Sequence, residues 1–163
     1  MDPLDAGGLI AALNEAAVDF VIIGGFAVGA HGYPRATKDL DIVPDPDPTN
    51  LARLADLLVR LEAEMLGAEE FEPGELIQPD SEGLQQGGSF LLRTRFGRLD
   101  VMQLIGPDLE YGDLADTALV DTVLGSEVHF CGYEELISMK EAAGRPEDLL
   151  DIQRLREARE DGT

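Results

Sequence analysis

The sequence predicts an α+β fold, a mixed β-sheet flanked by helices, and three observations predict it. The apolar run Val21-Ile22-Ile23 stops at Gly24-Gly25 and is followed by a helix-like stretch, the pattern of a buried strand feeding a helix. Two later segments, 89–105 and 117–130, each read as two strands around a glycine, which is a hairpin signal. Apolar residues at helical spacing then recur near both ends and over 48–65. With 163 residues, 44% of them hydrophobic, the chain suits one compact domain spanning 1–163, with no internal repeat.

The elements follow in order. An opening helix is expected over Leu9–Ala17, with Leu9, Leu13 and Ala16-Ala17 facing inward. A first strand at Asp19–Ile23 leads through the Gly-Gly turn to a short helix from Phe26 to His31. Gly32-Tyr33-Pro34 ends that helix, because proline cannot continue it and disfavours helical backbone in the residue before it. A second strand covers Asp39–Val43. Pro44-Asp45-Pro46-Asp47-Pro48 is stiff, and Asp47 is placed to cap a helix whose first residue is Pro48. That helix is expected to reach Met65, since Leu51, Leu54, Ala55, Leu58, Leu61 and Met65 share a helical face. Glu72 to Gly88 lacks periodicity and reads as a loop or irregular strands. Ser89–Phe96 and Arg98–Ile105 form the first hairpin, Asp108–Asp116 a short helix, and Thr117–Leu124 with Glu127–Phe130 the second hairpin. Helices at Tyr133–Ala143 and from Pro146 to Glu160, separated by Gly144-Arg145, close the chain.

Composition bounds the function. The formal net charge of −21 repels long polyanions, so extended nucleic-acid binding is not expected, and cationic partners are favoured. Arg35, Lys38, Arg93, Arg95, Arg98, Lys140 and Arg145 nevertheless lie in or beside the segments that carry chemistry, which gives a local positive lining inside an acidic shell. No apolar run is long enough to span a membrane, the start Met1-Asp2-Pro3-Leu4-Asp5 is acidic where a signal peptide is basic, and a single cysteine precludes an internal disulfide. The expected compartment is the cytoplasm. His31, His129 and Cys131 lack partners at metal-ligand spacing and read as structural.

The chemistry rests on Asp39-Leu40-Asp41. Two aspartates at i and i+2 on a strand point to one face, and paired carboxylates on a partly buried sheet repel each other and lose water. A divalent cation removes that cost. Ahead of the pair, the helix-like stretch that follows Gly24-Gly25 would aim free backbone N–H groups at an anion. Metal ligands at one end and phosphate donors at the other suggest a site for a metal-bound nucleoside triphosphate. A dinucleotide-binding loop is rejected, because the G-x-G-x-x-G spacing is absent and the acidic residues come too early.

Gly24-Gly25, then Arg35-Ala36-Thr37-Lys38-Asp39-Leu40-Asp41, then Arg98-Leu99-Asp100-Val101, resembles the polymerase-beta-type nucleotidyltransferase superfamily. The run Lys140-Glu141-Ala142-Ala143-Gly144-Arg145-Pro146-Glu147-Asp148 is similar to the Lys…Gly-Arg-Pro…Asp pattern of its abortive-infection and toxin–antitoxin branch. The resemblance spans about Val18 to Ile152. It implies the polymerase-beta-like fold and transfer of a nucleoside monophosphate from an NTP to an acceptor hydroxyl, with release of pyrophosphate.

In that resemblance Asp39, Asp41 and Asp100 hold Mg²⁺ (or Mn²⁺), and Asp100 helps activate the attacking hydroxyl. Gly24 and Gly25 approach the phosphates. Many relatives carry serine at the second of these positions, so at Gly25 a hydroxyl contact is missing or replaced. Lys140 reaches toward phosphates, Asp148 orients it or the substrate, and Arg35 and Thr37 either contact phosphate or brace the loop. Arg93 and Arg95 either line the groove or pair with acids. The acceptor is a tRNA end, a partner protein or a small molecule, and a toxin–antitoxin partner is implied. Two alternatives remain: a catalytically inactive, antitoxin-like or regulatory binding module of the same fold, and a metal-dependent phosphoester hydrolase.

Overall fold

A computed structural model of the chain describes residues 3–72, 74–123 and 125–162. Met1 and Asp2 of the acidic start, Pro73 of the aperiodic segment and Leu124 at the end of an expected strand lie outside the described residues. The elements are α1 (Ala6–Glu15), β1 (Phe20–Ile23), α2 (Gly24–Ala30), β2 (Asp39–Pro44), α3 (Pro48–Arg60), β3 (Glu64–Met65), α4 (Ser81–Gln85), β4 (Phe90–Thr94), β5 (Gly97–Val101), α5 (Tyr111–Asp116), β6 (Leu119–Val123), β7 (Ser126–Phe130), α6 (Tyr133–Ala143) and α7 (Pro146–Asp161).

The seven strands form one sheet in the order β3-β4-β5-β2-β1-β7-β6. The sheet is mixed, as expected. β1 runs antiparallel to β2 and parallel to β7, β2 runs parallel to β5, and the β3–β4, β4–β5 and β6–β7 pairs are antiparallel. In β1 all four residues are buried, the mark of a strand covered on both faces. Strand β4 instead alternates: Phe90, Leu92 and Thr94 are buried, whereas Leu91 and Arg93 are exposed. One face of the β4–β5–β2 half is therefore core and the other is open.

Burial of apolar side chains holds the closed face. Leu40, Ile42, Leu92, Leu99 and Val101 are fully buried, together with Leu9 and Leu13 of α1 and Leu54 and Leu58 of α3. Each such side chain contributes about 1.5–3 kcal/mol relative to exposure. Asn50 fixes how β1 and β2 meet. Its amide donates to the carbonyls of Asp19 (3.0 Å) and Asp45 (2.9 Å) and accepts from the Asp19 N–H at 2.7 Å, tying the start of β1 to the end of β2. Asp47 caps α3 as expected, accepting from the N–H groups of Thr49 (3.1 Å) and Asn50 (3.3 Å), with Pro48 in the first turn.

Several boundaries differ from expectation, each for a local reason. Helix α3 stops at Arg60, because Leu61 caps it and Glu62 takes a left-handed conformation (φ 55°) that turns the chain. Met65 therefore reaches the core from β3, paired with Leu92, and not from a continuation of the helix. The 72–88 segment contains α4, nucleated by Asp80, whose carboxylate accepts from the Gly83 N–H at 2.7 Å. Helix α2 begins at Gly24, two residues before Phe26, so the glycines are its first turn. Helix α1 lies earlier than Leu9–Ala17, because Asp5 caps it and Ala17 leaves helical space at φ 58°. The first hairpin ends at Val101, four residues short of Ile105, and α5 opens at Tyr111, after Asp108 at φ 63°.

Candidate active site

Asp39 and Asp41 stand on β2 with Leu40 and Ile42 buried between and beyond them, so the apolar pair forces the two carboxylates onto the opposite, open face. Strand β5 lies beside β2 in parallel register, with Asp100 directly across from Asp41 and Arg98 directly across from Asp39. Each of the three aspartates brings a carboxylate oxygen within 4.8 Å of the other two. Asp100 is buried, at 5% exposure, and the other two are half-buried.

The electrostatics follow from this crowding. Burial, then the neighbouring charges of Asp39 and Asp100, push the Asp41 carboxyl from 3.8 up to about 7. Burial likewise raises Asp100 to about 6, with Asp39 adding to the rise and Arg98 opposing it. A hard divalent cation would offset the burial and repulsion that oppose ionisation of Asp41 and Asp100, and with Asp39 they offer it an all-oxygen donor set.

The Gly24-Gly25 turn packs directly on this set. Gly24 has φ 72°, a left-handed conformation, and a β-carbon there would collide with the Asp41 carboxylate. A β-carbon at Gly25 would sit 3.0 Å from the Thr37 hydroxyl and 3.5 Å from an Arg35 guanidinium nitrogen. The absence of both side chains lets the first turn of α2 approach Asp41 on one side and the 35–37 segment on the other. Ile23, which precedes that turn, offers no side-chain cap to its N–H groups. Thr37 donates to the Asp39 carbonyl at 3.0 Å and lies 3.5 Å from the Asp39 carboxylate, so the segment before β2 is braced against that strand.

Behind the turn lies a network on α6 and α7. Lys140 is buried at 7% exposure, and its ammonium meets Asp151 at 2.9 Å and Asp148 at 3.5 Å. Asp151 also holds the Arg35 guanidinium at 3.0 Å. Asp148 accepts from Arg145 Nε (2.7 Å), Arg145 Nη2 (3.2 Å) and the Arg145 backbone N–H (3.1 Å), which caps α7. Burial works to raise the Asp148 pKa, but Arg145 and Lys140 outweigh it and hold the carboxyl below its ordinary value. The cations with exposed ends here are Arg35 (36% exposed) and Arg145 (65% exposed). Arg145 also lies within the field of Asp41.

The structure thus brings Asp39, Asp41, Asp100, Gly24, Gly25, Arg35 and Thr37 together. It sets Lys140 and Asp148 one layer back, linked through Asp151 and Arg35. Two residues have partners here that the sequence did not supply: Arg98, which it places only in the positive lining, and Asp151. Arg98 donates Nε to Asp100 Oδ1 at 3.1 Å and Nη2 to Oδ2 at 3.2 Å, and Nη2 also lies 3.8 Å from Asp39. Its i,i+2 spacing from Asp100 on a strand was the available signal. Asp151, three residues after Asp148 on α7, is the buried hub between Lys140 and Arg35, and helical spacing would have placed it there. Arg93 lies across from Arg98 on the open face, whereas Arg95 leaves the strand and stacks over Phe96 at 5.2 Å. His31 bonds the Cys131 carbonyl at 2.7 Å, and burial pushes the Cys131 thiol up to about 12, which keeps it unreactive near neutral pH.

No protein-family model matches the chain, and no curated protein does. Solved structures do. The lincosamide antibiotic adenylyltransferase LnuA, in its lincomycin-bound structure, superposes with a TM-score of 0.59 at 13% identity, over 95% of this chain and 98% of LnuA. The fold is the nucleotidyltransferase fold. An antigenic nucleotidyltransferase-like protein from Paracoccidioides brasiliensis gives 0.58 at 20% identity, over 94% of this chain and 78% of that one. ANT(2")-Ia, in complex with adenylyl-2"-tobramycin, gives 0.56 at 18% identity, over 90% and 82%. Among the described residues no helix is long and apolar enough to cross a membrane.

Proposed function

We propose that the chain is a nucleotidyltransferase that moves a nucleoside monophosphate from an NTP to an acceptor hydroxyl, with pyrophosphate leaving. The observation that carries this reading is the packing of the Gly24 turn directly against a cluster of three strand-borne carboxylates. The donor set is all oxygen, clustered and partly desolvated, which fits Mg²⁺ or Mn²⁺ better than softer ions. Bound there, such ions neutralise charge developing on the transferred phosphoryl group and lower the pKa of the attacking hydroxyl.

The chain's own residues supply the rest. Gly24 and Gly25 present backbone N–H groups to the phosphate tail on the β1 side of the carboxylates, with Arg35 beside them. Thr37 places its hydroxyl where a side chain at position 25 would lie, so it replaces the serine contact of many relatives. Lys140 acts through its ion pairs: together with Asp148 and Asp151 it fixes the pose of Arg35 and Arg145. Asp100 lies on the β5 side, so in-line displacement directs the acceptor over the open face of β5 and β4, where Asp100 takes up the proton of the incoming hydroxyl.

The net charge of −21 favours a cationic or protein acceptor over a long nucleic acid. The lincomycin and adenylyl-tobramycin complexes of two fold neighbours add small hydroxylated antibiotics to that panel. The Lys140…Gly144-Arg145-Pro146…Asp148 run, by its similarity to the pattern of the abortive-infection and toxin–antitoxin branch, is what supports a reading in that branch with a cognate partner.

The test is label transfer. The protein is incubated with each α-labelled NTP, Mg²⁺ or Mn²⁺, and an acceptor panel of tRNA, candidate partner proteins and aminoglycosides or lincosamides. An Asp39→Asn, Asp41→Asn double variant runs alongside. Transfer lost in the double variant is the expected result. NTP binding without transfer to any acceptor would favour the inactive binding module, and phosphate release alone a hydrolase.

A further inference from the structure

Arg98 faces the carboxylates that the proposed function assigns to the metal, and no role for it follows from that reading. It stands directly across from Asp39 and two residues before Asp100 on β5, so guanidinium and carboxylates share one face of the sheet. It engages both Asp100 oxygens, at 3.1 and 3.2 Å, and approaches Asp39 Oδ2 at 3.8 Å. On its other side stands Arg93, a like charge directly across the β4–β5 pair, so attraction toward the aspartates is unopposed. The bidentate guanidinium occupies one lone pair on each Asp100 oxygen and sets a positive charge where a cation would approach. Arg98 and a divalent ion therefore compete for Asp100 and for one oxygen of Asp39.

We propose that Arg98 is a positioning residue that couples metal binding to nucleotide binding. A bare divalent ion must displace the guanidinium from Asp100 without offering it another anion. An ion arriving with a triphosphate brings phosphate oxygens onto the carboxylate cluster, and their negative charge compensates the guanidinium as the carboxylates turn to the metal. The consequence is thermodynamic linkage: each ligand tightens the other by the same factor, and Arg98 adds to that factor beyond what the metal–phosphate bonds supply. This inference rests on the proposed function, since it takes Asp39, Asp41 and Asp100 as the metal ligands.

The test measures binding and not turnover. Mn²⁺ affinity is read by the loss of free-ion electron paramagnetic resonance signal, with and without a nucleotide analogue that cannot transfer its α-phosphoryl group, the Mn²⁺ that the analogue holds in protein-free solution being subtracted. Wild type, Arg98→Gln and Arg98→Lys are compared. Arg98→Gln is expected to bind Mn²⁺ alone about tenfold more tightly than wild type, because a charge-assisted hydrogen bond contributes about 1.5 kcal/mol and 1.4 kcal/mol is tenfold. The same variant loses about tenfold of the nucleotide-induced tightening, the part that Arg98 contributes. Arg98→Lys, which keeps the charge without the fork, falls between them; it also serves as the folded comparison should Arg98→Gln not fold, and tighter Mn²⁺ binding than wild type is then the supporting result. Unchanged or weaker Mn²⁺ binding by the folded variants, with wild type binding Mn²⁺ and nucleotide together, overturns the role of Arg98 and leaves the transferase reading standing. No Mn²⁺ binding by any form, with or without nucleotide, overturns the metal site itself and both proposals with it.

Discussion

Asp41→Asn is the substitution whose effect on stability separates a functional carboxylate cluster from an ordinary strand position. Burial and the carboxylates of Asp39 and Asp100 raise the Asp41 pKa from 3.8 to about 7. A carboxyl raised in the folded state contributes stability below its unfolded value, and that contribution is lost as pH rises through the folded value. The window is therefore roughly pH 4 to 7. Linkage over about three pKa units amounts to roughly 4 kcal/mol near pH 8. Proton sharing within the cluster and solvent screening of a half-buried group reduce this to about 2 kcal/mol. Asparagine keeps the shape without the charge. The variant should accordingly be about 2 kcal/mol more stable than wild type near pH 8 in EDTA, and only about 0.5 kcal/mol more stable near pH 4. Urea unfolding followed by far-ultraviolet circular dichroism at both pH values measures this. Saturating Mg²⁺ should then stabilise wild type and not the variant. A variant less stable than wild type near pH 8, or one with the same gain at both pH values, would refute the reasoning.

Three further outcomes follow. Lys140→Met should destabilise the protein by about 3 kcal/mol, because it leaves the buried Asp148 and Asp151 carboxylates short of a counter-charge; chemical denaturation measures it, and a loss below about 1 kcal/mol would show the ammonium to be dispensable. Gly24→Ala should cost about 1–3 kcal/mol from left-handed strain plus collision with Asp41, and should abolish NTP binding by calorimetry; an unaffected NTP affinity would remove the turn from the site. Thr37→Ala should weaken NTP binding by about tenfold, the worth of one hydrogen bond to a charged group, and Gly25→Ser added to it should restore most of the loss; failure of the double variant to recover would show that the two hydroxyls do not serve one position.

What the sequence made legible was the part written in local spacing. Asp39 and Asp41 at i,i+2, the halt of Val21-Ile22-Ile23 at two glycines, and the Asp47-Pro48 cap each specify geometry within a few residues, and the structure shows those local arrangements. Partnerships set by sheet register were harder to read. Asp100 meets Asp41 because β5 lies parallel to β2 with no offset, a register that local spacing does not reveal, so only the resemblance of Arg98-Leu99-Asp100-Val101 brings Asp100 into the cluster. The resemblance implies that Lys140 reaches toward phosphates, whereas in the structure it is buried against Asp148 and Asp151 of a separate helix. The end of α3 misled for another reason. Leu61 and Met65 have helical spacing, but the left-handed Glu62 delivers Met65 to the same core from a strand. Period alone does not distinguish those two routes.

The most direct measurement of the central claim is a crystal of the protein grown with Mn²⁺ and a non-transferable NTP analogue, with anomalous scattering recorded at the manganese edge. The account predicts an anomalous peak coordinated by Asp39, Asp41 and Asp100, with the triphosphate running from it onto the backbone N–H groups of Gly24 and Gly25. A nucleotide bound elsewhere, or manganese absent from those three carboxylates in a nucleotide-bound crystal, would contradict it.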